Sequence, residues 1–176
     1  MRRRTFLTAT AAALATASPA AFAQIRSPTS LPVIEPQNEL ERALVAATDP
    51  GSGEPERDAF RRLFLRSNVA LALSANSPDA PPAQVEPRPG HRTCLIFTSS
   101  ARATEIMGAD TPRVMLRGRQ ALERVRGTNV VININRRPFI TLDAEGVEGF
   151  LALPEGRETE APEEAPPAPQ STGPSQ

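Results

Sequence analysis

The chain has 176 residues with 20 basic and 20 acidic side chains, for a formal charge of zero, and contains one Cys, one His and neither Trp nor Tyr. A lone cysteine and a lone histidine exclude an intrachain disulfide, a Cys-rich zinc site and a CxxCH haem attachment within the chain. Every basic residue is arginine, which excludes a Gly-Lys-Ser/Thr phosphate loop, a pyridoxal Schiff base and a Ser-x-x-Lys acylating pair, each of which needs a lysine amine.

At the amino terminus Arg3 and Arg4 stand before Thr5-Phe6-Leu7, and a stretch of alanines interspersed with Thr and Ser follows to Phe22. Ala21 and Ala23 then place small residues where a signal peptidase requires them. The pattern predicts a twin-arginine export signal over residues 1–23, read by the twin-arginine machinery and cut before Gln24, with a periplasmic address for the mature chain; a general secretory signal whose arginines happen to be adjacent is the alternative. Spanning a bilayer takes about 20 strongly apolar residues, and this run is too short and too polar, so no integral span is expected. Loss of Arg2, Arg3 and Arg4 leaves three more acids than bases.

Residues 24–37, with Pro28, Pro32 and Pro36, read as an extended spacer. Asn38 can cap a helix with Glu41 at its third position, a capping-box arrangement, and Leu40, Ala43, Leu44 and Ala47 form its apolar stripe. Asp49 to Gly53 breaks that helix. Pro55 suits the first turn of a second, with Phe60, Leu63 and Phe64 inward and Asp58, Arg61, Arg62 and Arg66 solvated. Val69 to Leu73 reads as a strand, and Ser74 to Gly90, with five prolines, as a surface loop unable to pair in a sheet. Thr93 to Thr98 is a second strand, containing Cys94 as a small buried hydrophobe. Ser99 or Ser100 caps a short helix that ends at Gly108.

Arg113 to Leu116 is expected as a strand and Gln120 to Val125 as a helix with Ala121, Leu122 and Val125 inward, stopped at Gly127. Val130, Ile132 and Ile134 alternate with Val131, Asn133 and Asn135 along another strand, and Phe139 to Leu142 returns beside it. Asp143 caps a last helix whose stripe is Val147, Phe150 and Leu151. From Pro154 to Gln176 the composition of Pro, Glu, Ala, Ser and Gln predicts a disordered acidic tail. The sum is a single α+β domain over residues 38–153, with a small mixed sheet and four or five helices.

The strings Asn38-Glu39-Leu40-Glu41-Arg42-Ala43-Leu44, Leu95-Ile96-Phe97-Thr98-Ser99, Val131-Ile132-Asn133-Ile134-Asn135 and Phe139-Ile140-Thr141-Leu142-Asp143, in this order, resemble the amino-terminal domain of the SseB family, named for enhanced serine sensitivity protein B. The resemblance covers residues 38–153. Arg136 departs from it, because family members commonly carry Pro after the strand-ending Asn. The resemblance implies an α+β fold and a poorly defined role, and it supplies no catalytic residues.

Two sets of residues carry candidate chemistry. Ser99, with His91 as base and an acid such as Asp110, would make a small hydrolase, although no GxSxG elbow surrounds the serine and a helix cap explains it more simply. Between Arg113 and Arg137 stand Arg113, Arg117, Arg119, Arg124, Arg126, Arg136 and Arg137 against Glu123 alone. On one surface these would hold carboxylates or phosphates bidentately; the plainer reading is a solvated face balanced by acids elsewhere. The expected user is an acidic partner protein, with anionic lipid headgroups and the chain's own acidic tail as alternatives. Nucleic acid does not fit the expected compartment. No cofactor motif and no metal-ligand spacing is present, and a binding or adaptor module is the expected function, with the hydrolase as its alternative.

Overall fold

Three helices begin where a short polar side chain takes up a free backbone N–H of the first turn. The structure, a computed structural model, describes residues 30–154. The expected signal, with Arg3, Arg4, Phe6, Leu7, Ala21 and Ala23, lies outside the described residues, as does the tail beyond Pro154. Asn38 Oδ1 accepts from Glu41 N at 2.9 Å and opens α1, Glu39–Thr48. Helix α2, Glu54–Arg66, has Pro55 in its first turn. Ser99 Oγ accepts from Arg102 N at 3.0 Å to open α3, Ser100–Met107, which ends at Gly108 with φ 93°. After α4, Gly118–Arg124, Asp143 Oδ1 accepts from Gly146 N at 2.8 Å and opens α5, Ala144–Leu151. Ser99, not Ser100, is the cap.

The strands are β1 (Asn68–Ala72), β2 (Gln84–Arg88), β3 (His91–Phe97), β4 (Arg113–Arg117), β5 (Asn129–Ile132) and β6 (Ile140–Leu142). They form one mixed sheet in the order β4-β1-β3-β5-β6, with β2 also on β3; only β3 and β5 run parallel. With five helices among the described residues this is the expected small α+β domain. Strands β1 and β2 lie along the same flank of β3, β1 opposite Ile96 and Phe97, β2 opposite Thr93 and Cys94. The chain leaves this row at Leu73 and rejoins it at Ala83, whose N–H donates to Ala72 O at 2.9 Å.

The proline-rich segment therefore does pair, contrary to the sequence-based expectation. Strand β2 bonds on one side only, and its register slips between Val85 and Arg88, around Pro87. An edge position with a bulge does not require the N–H that proline lacks. A second correction concerns the spacer. Leu31 and Ile34 are buried, Ile34 N donates to Arg137 O at 2.7 Å and Arg137 N to Pro32 O at 2.8 Å, so the end of that segment belongs to the fold. Strand β5 stops at Ile132 rather than running to Asn135, because Asn133 and Asn135 adopt φ of 59° and 62°, a left-handed conformation that Asn tolerates better than most residues.

Alternation along the strands divides the core. Val69, Leu71, Cys94, Ile96, Val130 and Ile132 pack beneath α1, α2, α4 and α5, where Phe60, Phe64 and Phe150 meet with ring centroids 5.9–6.3 Å apart. Leu65 joins this layer while Leu63 is only half-buried. On the other face Ala70, Ala72, Leu95, Phe97 and Val131 pack beneath α3, chiefly against Ala103, Ile106 and Met107.

Candidate functional site

Strands β3 and β5 are adjacent and parallel, so the residues that follow them, Thr98 and Asn133, emerge together. The carboxyl ends of parallel strands are a usual place for a site. Here they lead into a closed polar network. Thr98 Oγ1 donates to Glu41 Oε1 at 2.7 Å, Asn133 Nδ2 donates to Thr98 Oγ1 at 3.1 Å, and Asn133 Oδ1 accepts from Thr98 N at 3.1 Å. Arg102 reaches in from the first turn of α3: its Nε donates to Glu41 Oε1 at 3.0 Å, and one terminal nitrogen donates to Glu41 Oε2 at 2.8 Å and to Glu35 O at 3.0 Å. The other pairs with Glu105, which Arg136 Nε also meets at 2.9 Å. Gln37 N donates to Glu41 Oε2 at 2.8 Å.

Glu41 is 0% exposed and Arg102 2%. Burial by itself pushes the Glu41 carboxyl up, but the hydrogen bonds from Arg102, Gln37 and Thr98, with the Arg102 charge, more than offset it and hold the group below its ordinary value. The hydrogen bond to Glu41 in turn raises Arg102 against the opposing effect of burial. Each side-chain nitrogen and oxygen of Glu41, Thr98, Arg102 and Asn133 has a partner within the protein. The cluster thus ties α1, α3 and the ends of β3 and β5 together and presents no open acceptor. The capping-box reading of Glu41 needs correction here, because its carboxylate turns inward rather than to the N–H of Asn38. A charged residue between Leu40 and Leu44, on the buried side of an amphipathic helix, was the available signal; its partner lies 61 residues away.

The seven expected arginines are distributed rather than gathered. Arg113 and Arg117 share β4 and, by register with Ala72 and Asn68, the α3 face of the sheet. Arg113 donates to Ser100 Oγ at 3.1 Å, Thr104 Oγ1 at 2.9 Å and the carbonyls of Ala109 and Thr111 at 3.3 Å; Arg117 donates to Arg66 O. On α4, Arg119 donates to the carbonyls of Leu151 and Leu153 at 3.0 and 2.7 Å, and Arg124 to those of Pro78 and Ala80 at 2.7 and 2.6 Å, which pins the loop between β1 and β2. Arg126 pairs with Glu148 at 2.9 Å. Arg136 and Arg137 follow β5, three strand positions across the sheet from β4; Arg137 Nε donates to Leu31 O at 3.2 Å.

His91 and Ser99 stand at opposite ends of β3, and at about 3.3 Å per residue eight steps put them roughly 25 Å apart. Asp110 lies beyond the far end of α3 from Ser99. No group of three or more His, Cys, Asp or Glu side chains placed to hold a metal ion occurs among the described residues. Cys94 is buried with Thr128 Oγ1 at 3.5 Å. Comparison with protein-family models, characterised proteins and solved structures gives no match to this chain.

Proposed function

We propose that the chain is an exported, SseB-like binding module that engages an acidic protein partner through arginines of the segment 113–137. The observation that carries this reading is how those side chains are held. Arg113, Arg117, Arg124 and Arg137 donate to carbonyl or hydroxyl oxygens, and none has a carboxylate partner among the described residues. A neutral acceptor fixes a guanidinium in place without cancelling its charge. Such a cation is preorganised for a carboxylate brought by another molecule.

Capture with the tagged chain at two salt concentrations tests the reading. At low salt a partner should be retained; near 0.15 M, where the Debye length falls to about 8 Å, most of it should be released. The exposed pair Arg117→Gln with Arg137→Gln should abolish retention. A partner retained regardless of salt and of both substitutions would count against an acidic interface. The export half of the reading has its own test: Arg3→Lys with Arg4→Lys should leave the precursor in the cytoplasm, whereas undiminished export would indicate the general secretory route.

A further inference from the structure

β4 is an edge strand, and its pairing with β1 decides which of its backbone groups face outward. Gly118 N donates to Ser67 O and Leu73 N to Pro112 O, both at 2.9 Å. In an antiparallel ladder bonded and non-bonded pairs alternate. With Ser67–Gly118 and Leu73–Pro112 as bonded pairs, Val69–Leu116 and Leu71–Val114 are the bonded pairs between them. The backbone groups of Arg113, Met115 and Arg117 consequently point away from the sheet. Of these, Arg117 N donates to Gln120 Oε1 at 3.2 Å, while the outward groups of Arg113 and Met115 have no partner among the described residues.

The side chains of the same three residues stand on one face, opposite Ala72, Ala70 and Asn68. Met115 is 45% exposed, an unusual state for a large hydrophobe here, and it is flanked on both sides by an arginine without a carboxylate partner among the described residues. We infer that the β4 edge is a docking strand that accepts an extended acidic segment of a partner protein by strand addition, with acids two residues on either side of an apolar residue seated by Met115. This rests on the acidic-partner reading above and specifies its mode. A second copy is disfavoured as occupant: twofold pairing centred on Met115 would set Arg113 directly opposite Arg117, and like charges across a ladder repel. The same two arginines guard the edge against self-association and attract the complementary strand.

The test titrates the isotope-labelled chain with a capped synthetic heptapeptide, Thr-Glu-Thr-Val-Thr-Glu-Thr, and with the same peptide carrying Arg for Glu. Two further versions are N-methylated at alternate backbone amides, one set for each edge of the peptide strand. The Glu peptide should shift the Met115 amide and slow its hydrogen exchange, Arg117→Gln should weaken binding about tenfold, and the Arg peptide should not bind. One methylated version should lose binding and the other keep it, because a paired strand uses one edge. Met115→Pro, which removes an outward N–H and the Met115 side chain without breaking a hydrogen bond to β1, should also lose it; should that variant not fold, the methylated pair still decides. If both methylated versions bind like the parent, strand addition is overturned while the acidic-partner reading survives. If the Arg peptide binds as tightly as the Glu peptide, both fail. Protection of the Met115 amide that rises with chain concentration and without peptide would make a second copy the occupant and overturn the proposal.

Discussion

Replacing Glu41 by alanine should cost the domain about 3 kcal/mol, because it removes the buried partner of the Arg102 guanidinium and leaves it only the half-exposed Glu105. Thr98 Oγ1 and Gln37 N lose their acceptor in the same step. Total stabilities of domains run to only about 5–15 kcal/mol, so the variant should unfold at a clearly lower urea concentration. Urea midpoints of the chain, of Glu41→Ala and of the double variant Glu41→Leu with Arg102→Met measure it. The double variant should recover most of the loss, since well-packed apolar residues often replace a buried pair at little cost. A loss below about 1 kcal/mol for Glu41→Ala would show that the pair does not hold the helices to the sheet.

The same residue sets a pH dependence. Its folded-state value is depressed, so the stabilisation is fully present above the unfolded carboxyl value of about 4.3 and is lost as pH falls from there through the folded value. Glu41→Gln should flatten the acid limb of the stability profile and leave the neutral limb parallel to that of the parent. An acid limb of unchanged slope would place the titrating group elsewhere.

Gly118→Ala is the second large effect, and its sign runs against helix propensity. Alanine is favoured over glycine within a helix by about 1 kcal/mol, and Gly118 opens α4. A Cβ there would overlap the Phe64 carbonyl, with the carbonyl carbon at 2.7 Å and the ring Cδ1 at 3.0 Å. Backbone cannot yield as a side-chain tip can. Either α2 moves away from α4, opening the core around Phe64, or the Gly118–Ser67 hydrogen bond is given up. A loss of about 3 kcal/mol is expected, seen as a fall of about 10 °C in Tm. An unchanged or raised Tm would mean that the α2–α4 contact is looser than the structure indicates.

The helix starts were legible because their causes are local. Asn38, Ser99 and Asp143 each accept a backbone N–H three residues ahead, a relation that residue type and spacing disclose. The stripes of α1 and α5 follow from period alone, and the strand character of β1 and β3 from short apolar runs. The pairing of β2 was not legible, since proline content argues against a strand and only the position of β3 shows that an edge was on offer. The arginine cluster and its division over a strand, a helix and the end of a further strand were visible in the sequence, yet the separation of β4 from β5 by three positions in the sheet was not.

Residue order alone determined the composition-based exclusions, the α+β class, the caps and most of the core, all through interactions that span a few residues or repeat with a fixed period. Tertiary structure decided that Glu41 faces Arg102, that Leu31 and Ile34 close the fold beside Arg137, and that β4 ends the sheet with Met115 outward between two arginines. These relations join segments far apart in the chain. Which charges become partners and which edge stays open depend on how the sheet is ordered, and short-range periodicity carries no record of that order.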